Sequence, residues 1–456
     1  MKESARPSQP TWGYRLAAAA AARAARLAAP LSHKLAQGLT GRRGLAERQA
    51  VWGRKHRDPR RPLVWFHAPS VGEGLQTRPV IELLRAERPA WQLAYSFFSP
   101  SAERLARSLP VDFADYLPLD RPRDVAAALD ALAPAALVFG KVDVWPELTL
   151  AAAARGVRLG LISATVAETS SRLAWPVRSW ASPAYTALDR IGAIAPEDAA
   201  RLERLGARSE VTTVTGDARY DSVAQRAERL DRAREPFASL AAGGTGLFTI
   251  VAGSTWPADE TVLLPAFAQL RADSESPPAR LILAPHEPTP AHLAGIERAA
   301  REAGLPQPVR LSQLVGAAAP WNASLVVVDQ VGLLADLYAL GQAAFVGGGY
   351  HRAGLHSVLE PAVFGTPIAF GPRWRMSRDA ALLLERGGAV GLPAPSGARR
   401  LLAEQWRLWR SDITARTGAG TAAAAVVREG RGAAARTAAL VIALLEPAAP
   451  PPPLRM

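Results

Sequence analysis

The amino-acid sequence predicts an α/β protein built from two Rossmann-like domains, each a parallel sheet covered by helices. Three observations carry that prediction. The chain has 456 residues, more than one ordinary core holds and enough for two domains of roughly 200 residues each. From residue 61 onward short apolar runs alternate with helical stretches, the pattern of parallel strands joined by crossover helices. This alternation occurs twice, and the stretch 222–246 between the two series, a charged helix AQRAERLDRARE followed by ASLAAGGTG, reads as a linker.

The first series places strands at 62–67 (PLVWFH), 92–98 (QLAYSFF), 135–139 (AALVF), 157–162 (VRLGLI) and 190–195 (RIGAIA), with helices such as 76–87 and 146–155 between them. The second places them at 247–252 (LFTIVA), 279–284 (ARLILA), 324–328 (SLVVV), 343–346 (AAFV) and 367–370 (PIAF). The expected division is a basic amphipathic segment over 1–45, a first domain over 46–235, a second over 236–446 and a disordered Pro-rich tail over 447–456. In doubly wound sheets ligands bind at the C-terminal strand ends, here expected in a cleft between the two halves.

The N-terminal stretch 12–39, WGYRLAAAAAARAARLAAPLSHKLAQGL, is apolar but not a membrane span. Arg15, Arg23 and Arg26 interrupt it before it reaches the roughly 20 uncharged residues a span requires. They lie through the apolar region, whereas a cleavable signal carries its charges in front. At helical spacing the three arginines share an arc beside Leu16, Leu27, Leu31 and Leu35, an interfacial pattern with Trp12 and Tyr14 as candidate headgroup-level anchors. An Ala-rich helix packed on its own domain gives the same pattern.

Composition narrows the partners. With 54 Lys plus Arg against 41 Asp plus Glu, the chain carries +13 and suits anionic partners: nucleic acid, phosphorylated lipid or a phosphate-bearing substrate. No cysteine occurs, which excludes disulfides, thiolate nucleophiles and Cys-ligated metal. The 12 Trp fall mainly within strands and helices, without the basic–aromatic interleaving of single-strand binders, so no nucleic-acid partner is expected. No Gly-x-Gly-x-x-Gly follows a strand with an acid about 20 residues on, which argues against an NAD-dependent oxidoreductase.

Four loops at strand ends hold the candidate site residues. SVGEG (70–74) follows the first strand, with a helix expected from about Leu75, and sets Glu73 between glycines suited to a tight turn; it is either a helix-capping charge or a base. AGSTW (252–256) takes the equivalent place in the second half, where Ser254 and Thr255 suit phosphate oxygens or cap the next helix. APHEP (284–288) holds Pro285 and His286 in a loop stiffened by prolines, a structural or a functional histidine. FVGGGYHRAGLHSVLEP (345–361) ends a strand in three glycines, including Gly348 and Gly349. It continues through two histidines and an arginine into a helix expected near His356, whose N-terminus is an anion site. Glu360, in its first turn, could accept two hydrogen bonds from a ribose diol or compensate the helix dipole.

These residues resemble the Kdo transferases, which move 3-deoxy-manno-octulosonic acid from CMP-Kdo to lipid A precursors. SVGE after WFHAP looks like the family's first-strand signature, and LHSVLEPAVFGTPIAFGP like its nucleotide-site signature. KVDVWPEL is similar to its acidic-x-acidic-x-Trp-Pro stretch and TGDARYD to its Gly-Asn-x-Lys-Phe-Asp stretch, all in order from about 40 to 430. The resemblance implies a GT-B glycosyltransferase fold with the acceptor on the first half and the nucleotide on the second. It makes Glu73 the general base, with Asp143 and Arg219 stabilising the transition state. CMP contacts would come from Pro285 and His286, from Val331, Gly332 and Leu333, and from Ser357, Val358, Leu359 and Glu360. Departures are Lys141 in place of an acid, Ala284-Pro285-His286 for Pro-Arg-His, Leu333 for Glu and Ser357 for Asn.

The chemistry implied is metal-independent and inverting, with CMP-Kdo as donor substrate and no cofactor. The implied partners are a lipid A precursor and the anionic surface of the bacterial inner membrane, on its cytoplasmic face. The residues alone leave open another two-domain nucleotide-sugar enzyme, a UDP-sugar transferase or epimerase.

Overall fold

The computed structural model describes residues 10–273, 277–314 and 321–446. The expected Pro-rich tail, 447–456, lies outside them. The chain forms two compact units: one runs to Ser222 and takes the chain back from Arg431, and the other spans Val223–Gly430.

The first unit holds a seven-stranded sheet of β1 (Leu63–His67), β2 (Gln92–Phe97), β3 (Phe113–Tyr116), β4 (Ala136–Gly140), β5 (Arg158–Ala164), β6 (Arg190–Ala193) and β7 (Thr212–Val214), in the order β3-β2-β1-β4-β5-β6-β7. All its neighbours pair in parallel, and β1 and the core of β4 and β5 are completely buried, which is why those strands read as unbroken apolar runs. The second unit repeats the plan with β8 (Phe248–Thr255), β9 (Ala279–Pro285), β10 (Val309–Arg310), β11 (Leu325–Val327), β12 (Ala343–Val346), β13 (Ile368–Phe370) and β14 (Ala389–Gly391), ordered β10-β11-β9-β8-β12-β13-β14. Strand order reverses between β1 and β4 in one sheet and between β8 and β12 in the other. Those two reversals are where a doubly wound sheet opens a crevice at its C-terminal edge.

All ten expected strands are present. Four were not anticipated, β3, β7, β10 and β14: each has two to four residues and is at least partly exposed, so none makes an apolar run. The stretch expected as a linker is largely ordered into helices Arg219–Glu228 and Phe237–Gly243, the second burying Phe237 and Leu240.

The domain boundaries differ from the expected ones. The chain changes unit at Ser222/Val223, not at 235, and the helix Ala433–Leu445, expected in the second domain, packs in the first. Its Ala434, Ala438, Val441 and Leu444 join a core with Val64, Val80, Val138 and Ile162. Asp221 fixes its start by accepting hydrogen bonds from the backbone N–H of Gly432 (2.6 Å) and Ala434 (2.8 Å). A carboxylate there satisfies first-turn donors and complements the helix dipole.

At the N-terminus, α1 (Trp12–Ala28), α2 (His33–Gly41) and α3 (Leu45–His56) belong to the first unit. α1 has no buried residue, yet it is tied down at one end. The Tyr14 hydroxyl donates to Asp120 at 2.5 Å, and Arg15 grips Glu147 with two bonds of 2.7 and 2.8 Å. Tyr14 is therefore a docking residue and not a headgroup anchor. Leu16, Leu27, Leu31 and Leu35 remain 59%, 81%, 90% and 40% exposed, so α1 docks by its start and the leucine stripe running from it into α2 is left uncovered. Among the described residues no helix is long and apolar enough to cross a membrane.

Candidate active site

In the first unit the candidate residues gather at the β1/β4 reversal. α4 spans Val71–Glu87, so it begins a turn earlier than expected and Glu73 lies in its first turn. Gly72 and Gly74 are helical, and neither has a positive φ. Gly74 is required for packing instead of turning: a Cβ there would lie 2.5 Å from Leu105 Cδ2 and 2.7 Å from the Tyr95 hydroxyl. The Ser70 hydroxyl, at the helix N-cap position, donates to the Glu73 carboxylate, and Lys141 Nζ approaches it at 3.1 Å. Burial pushes the Glu73 pKa up, but the Ser70 hydrogen bond and the Lys141 charge outweigh it and hold the group below the ordinary glutamate value. Lys141 follows β4 at φ +65°, a left-handed conformation uncommon outside glycine.

Asp143 sits two residues further on. It accepts from Trp145 Nε1 at 2.9 Å and from Arg172 Nη2 at 3.2 Å, and lies 3.3 Å from His67 Nε2. The His67 ring is fully buried, its other nitrogen 3.0 Å from the Ser96 carbonyl. Burial raises the Asp143 pKa, but His67, Arg172 and Trp145 together bring it below the ordinary aspartate value. Arg219 is paired with the buried Asp217 at 2.7 Å. Asp217 also accepts from Gln76 Nε2 at 3.4 Å, one helical turn after Glu73. Glu73, Asp143 and Arg219 are thus brought to one end of one sheet. Sequence reasoning did not assign roles to His67, Gln76, Trp145, Arg172 or Asp217. His67 and Trp145 were nonetheless within reach, because both stand inside the motifs WFHAP and KVDVWPEL.

In the second unit the candidates lie at the C-terminal ends of neighbouring strands β8 and β9 and on the loops that follow β9, β11 and β12. Ser254 takes φ +53° as β8 ends. Neither Ser254 nor Thr255 caps the next helix, Pro257–Arg271, whose N-cap is Trp256. Thr255 is fully buried and its hydroxyl donates to Glu260 at 2.9 Å, so it is not presented to a ligand. Pro285 is buried at the end of β9, and the exposed His286 donates its backbone N–H to the Thr255 carbonyl. Gly332 has φ +92° and its carbonyl accepts from Arg226, while Val331 is 73% exposed and Leu333 opens a short helix.

The glycine loop after β12 is built differently from expectation. The backbone N–H of Gly348 donates to buried Asp259 at 2.8 Å, as do those of Tyr350 and Trp256 at 3.1 and 2.9 Å. Gly348 N–H is therefore engaged by the protein and not open to phosphate. Gly349 is glycine because a Cβ would fall 2.5 to 2.9 Å from the Gly371 backbone. The helix expected from His356 is a single turn, Leu359–Ala362, which opens on buried Leu359 after exposed Ser357 and buried Val358, and one turn makes a weak dipole. Glu360 stands in it with no hydrogen-bond partner for its carboxylate among the described residues. Burial holds the Glu360 pKa above the ordinary value, with Arg226 opposing and Asp336 adding to the rise.

An aromatic cluster missed in the sequence completes this edge. Trp256 stacks on His351 at 4.0 Å between ring centroids and lies 4.7 Å from His286. His286 stacks on His356 at 4.4 Å, and Trp256 Nε1 donates to His356 Nε2 at 3.1 Å. Burial, with the neighbouring His286 and His351, pushes the His356 pKa down to about 4. A neutral His356 is what the Trp256 hydrogen bond demands, since a protonated ring has no acceptor.

Comparison with known proteins places the chain. Residues 39–222 match the family model described as 3-deoxy-D-manno-octulosonic-acid transferase (kdotransferase). A 3-deoxy-D-manno-octulosonic acid transferase of Bordetella pertussis is 31% identical over 359 residues, covering 75% of this chain and 80% of that one. The chain belongs to the Kdo transferase family. It is accordingly a glycosyltransferase, as the resemblance implied. Among solved structures, a putative UDP-N-acetylglucosamine 2-epimerase of Listeria monocytogenes superposes with a TM-score of 0.57 at 13% identity, covering 84% of this chain and 96% of that one. A glycosyltransferase of Rickettsia africae superposes with a TM-score of 0.56 at 10% identity, covering 85% of this chain and all of the other. At such identities the likeness concerns the fold alone: the Kdo transferase family member has the paired Rossmann-like units of GT-B proteins.

Proposed function

We propose that the protein transfers Kdo from CMP-Kdo to a lipid A precursor at the cytoplasmic face of the bacterial inner membrane. The observation that supports this most is Glu73. It is a half-buried carboxylate at the β1/β4 reversal, kept ionised by Ser70 and Lys141 and therefore ready to accept a proton at neutral pH. In this reading the acceptor hydroxyl gives its proton to Glu73 as its oxygen bonds to the anomeric carbon of Kdo. The bond from that carbon to the CMP phosphate breaks, and CMP leaves with the electron pair. Attack on the face opposite CMP inverts the anomeric centre.

Asp143, ionised and fixed by Trp145, Arg172 and His67, suits the positive charge that develops on the sugar ring. Arg219, oriented by Asp217, supplies fixed positive charge to the transition state, and His286 offers a hydrogen-bond donor to the leaving phosphate. Charge stabilisation from these side chains makes the proposed reaction metal-independent. The unpartnered Glu360 carboxylate suits the ribose diol of CMP. The exposed leucine stripe from Leu16 to Leu35 with Arg23 suits an anionic membrane surface.

The test is mass spectrometry of a lipid A precursor incubated with CMP-Kdo and the purified protein, with UDP-sugars in parallel. Addition of Kdo from CMP-Kdo alone, lost in Glu73→Gln with the fold intact, is the expected result. Transfer by the Gln variant at a near-normal rate would refute the base assignment.

A further inference from the structure

The first unit contains a cavity of about 620 Å³ among α1, α2, α3 and the loop after β3 that no step above uses. Arg26, Arg42, Arg43 and Arg121 line it, beside Leu39 and Leu119. Its one acid, Asp124, is engaged by Arg121 at 2.6 Å. Arg42 is committed to the wall, donating to the carbonyls of Gly38, Phe98 and Leu117. Arg26 and Arg43 have no side-chain partner among the described residues, and both are exposed toward this space. Two uncommitted guanidinium groups over an apolar floor recognise a phosphate carried on a hydrophobic body. Leu27, beside Arg26 on α1, and Leu31, in the turn that joins α1 to α2, are 81% and 90% exposed, apolar surface suited to acyl chains.

The position of the cavity distinguishes a substrate from bulk lipid. The Arg42 guanidinium lies 4.3 Å over the Phe98 ring, Phe98 stacks on Trp145 at 5.3 Å, and Trp145 donates to Asp143. The arginine wall is thus joined through two stacked rings to a carboxylate of the candidate active site. We infer that this cavity seats a phosphate group of the acyl-bearing acceptor, so that Arg26 and Arg43 are acceptor-binding residues. The inference rests on the proposed reading of the acceptor as a phosphorylated lipid.

Kinetics of the full-length protein with the acceptor and with its phosphatase-treated form test it. In Arg26→Ala/Arg43→Ala the KM for the phosphorylated acceptor should rise at least about tenfold, the loss of a charge-assisted hydrogen bond. Donor KM, kcat and the KM for the dephosphorylated acceptor should stay unchanged, and Arg43→Lys should retain part of the preference. Both arginines are exposed, so folding is spared, and a circular dichroism melt checks this. Equal losses on both acceptors, or a loss matched by weaker binding to acceptor-free vesicles of anionic phospholipid, would overturn the inference. If the unaltered protein transfers nothing, the proposed function fails, and direct titration with the phosphorylated acceptor in micelles still decides: equal affinity of the two proteins overturns the cavity assignment.

Discussion

Replacing Lys141 with methionine tests whether the Glu73 carboxylate is held ready by its neighbour. The two charges are 3.1 Å apart. Their attraction is about 1 kcal/mol in water-like surroundings and about 5 kcal/mol at an effective dielectric constant near 20. The Lys141 side chain is 41% exposed against 16% for Glu73, so solvent screening keeps the value near the lower bound, about 1 kcal/mol. That corresponds to a little under one pH unit. The direction follows from Glu73 having a depressed pKa: removing the ammonium leaves burial opposed chiefly by Ser70, and the pKa rises. The acid limb of kcat/KM, measured from pH 4 to 8 at constant ionic strength, should move upward by that amount, with little change at neutral pH. Glu73→Gln should lower kcat by about 10²- to 10⁴-fold and remove the limb, and adding Lys141→Met to it should then change nothing more. An acid limb that stays in place in a folded Lys141→Met protein would refute the reasoning.

Three further outcomes can be measured. Asp221→Ala removes the acceptor for Gly432 and Ala434 and should cost about 1 to 2 kcal/mol by urea unfolding while sparing the Glu73-dependent acid limb. His356 has a depressed pKa, so the stability it lends is complete above its unfolded value near 6.5 and is lost as pH falls toward about 4. At most about 3 kcal/mol is involved, and His356→Gln should flatten that part of the stability–pH curve. Arg280 is 1% exposed, donates to the Leu240 carbonyl and has no ion-pair partner among the described residues, with burial holding its pKa down to about 10. Arg280→Met should raise stability by about 1 to 3 kcal/mol, read as a higher Tm.

The fold was legible where burial is two-sided. β1, β4, β8 and β9 lie inside their sheets, so apart from His67 and Arg280 their residues are apolar or small and the runs announce themselves. The outer strands β3, β7, β10 and β14 are short and partly exposed, and their residues carry no such pattern. The start of α4 was misplaced because glycine weakens a helix in isolation, whereas here the crowding of Leu105 and Tyr95 against Gly74 overrides that propensity. Glu73, Asp143 and Arg219 stood in quotable motifs at strand ends. The partners that tune them did not, because Lys141 reaches Glu73 across 68 residues and Gln76 reaches Asp217 across 141. The same holds for Gly348, whose glycine-rich surroundings suggest a phosphate cradle until Asp259, 89 residues earlier, is seen to occupy its N–H.

The return of the helix Ala433–Leu445 to the first unit bears on how the protein is made. That helix covers α4 and joins the core containing β1 and β4, yet it leaves the ribosome after the whole of the second unit. Domains ordinarily fold as they emerge, N-terminal first. Here the order is inverted: Val223–Gly430 has its whole sequence available before the first unit does. Until Ala433–Leu445 has emerged, Val64, Val80, Val138 and Ile162 lack part of their cover. The helix that carries Glu73 therefore acquires its final backing only after the second unit has been translated.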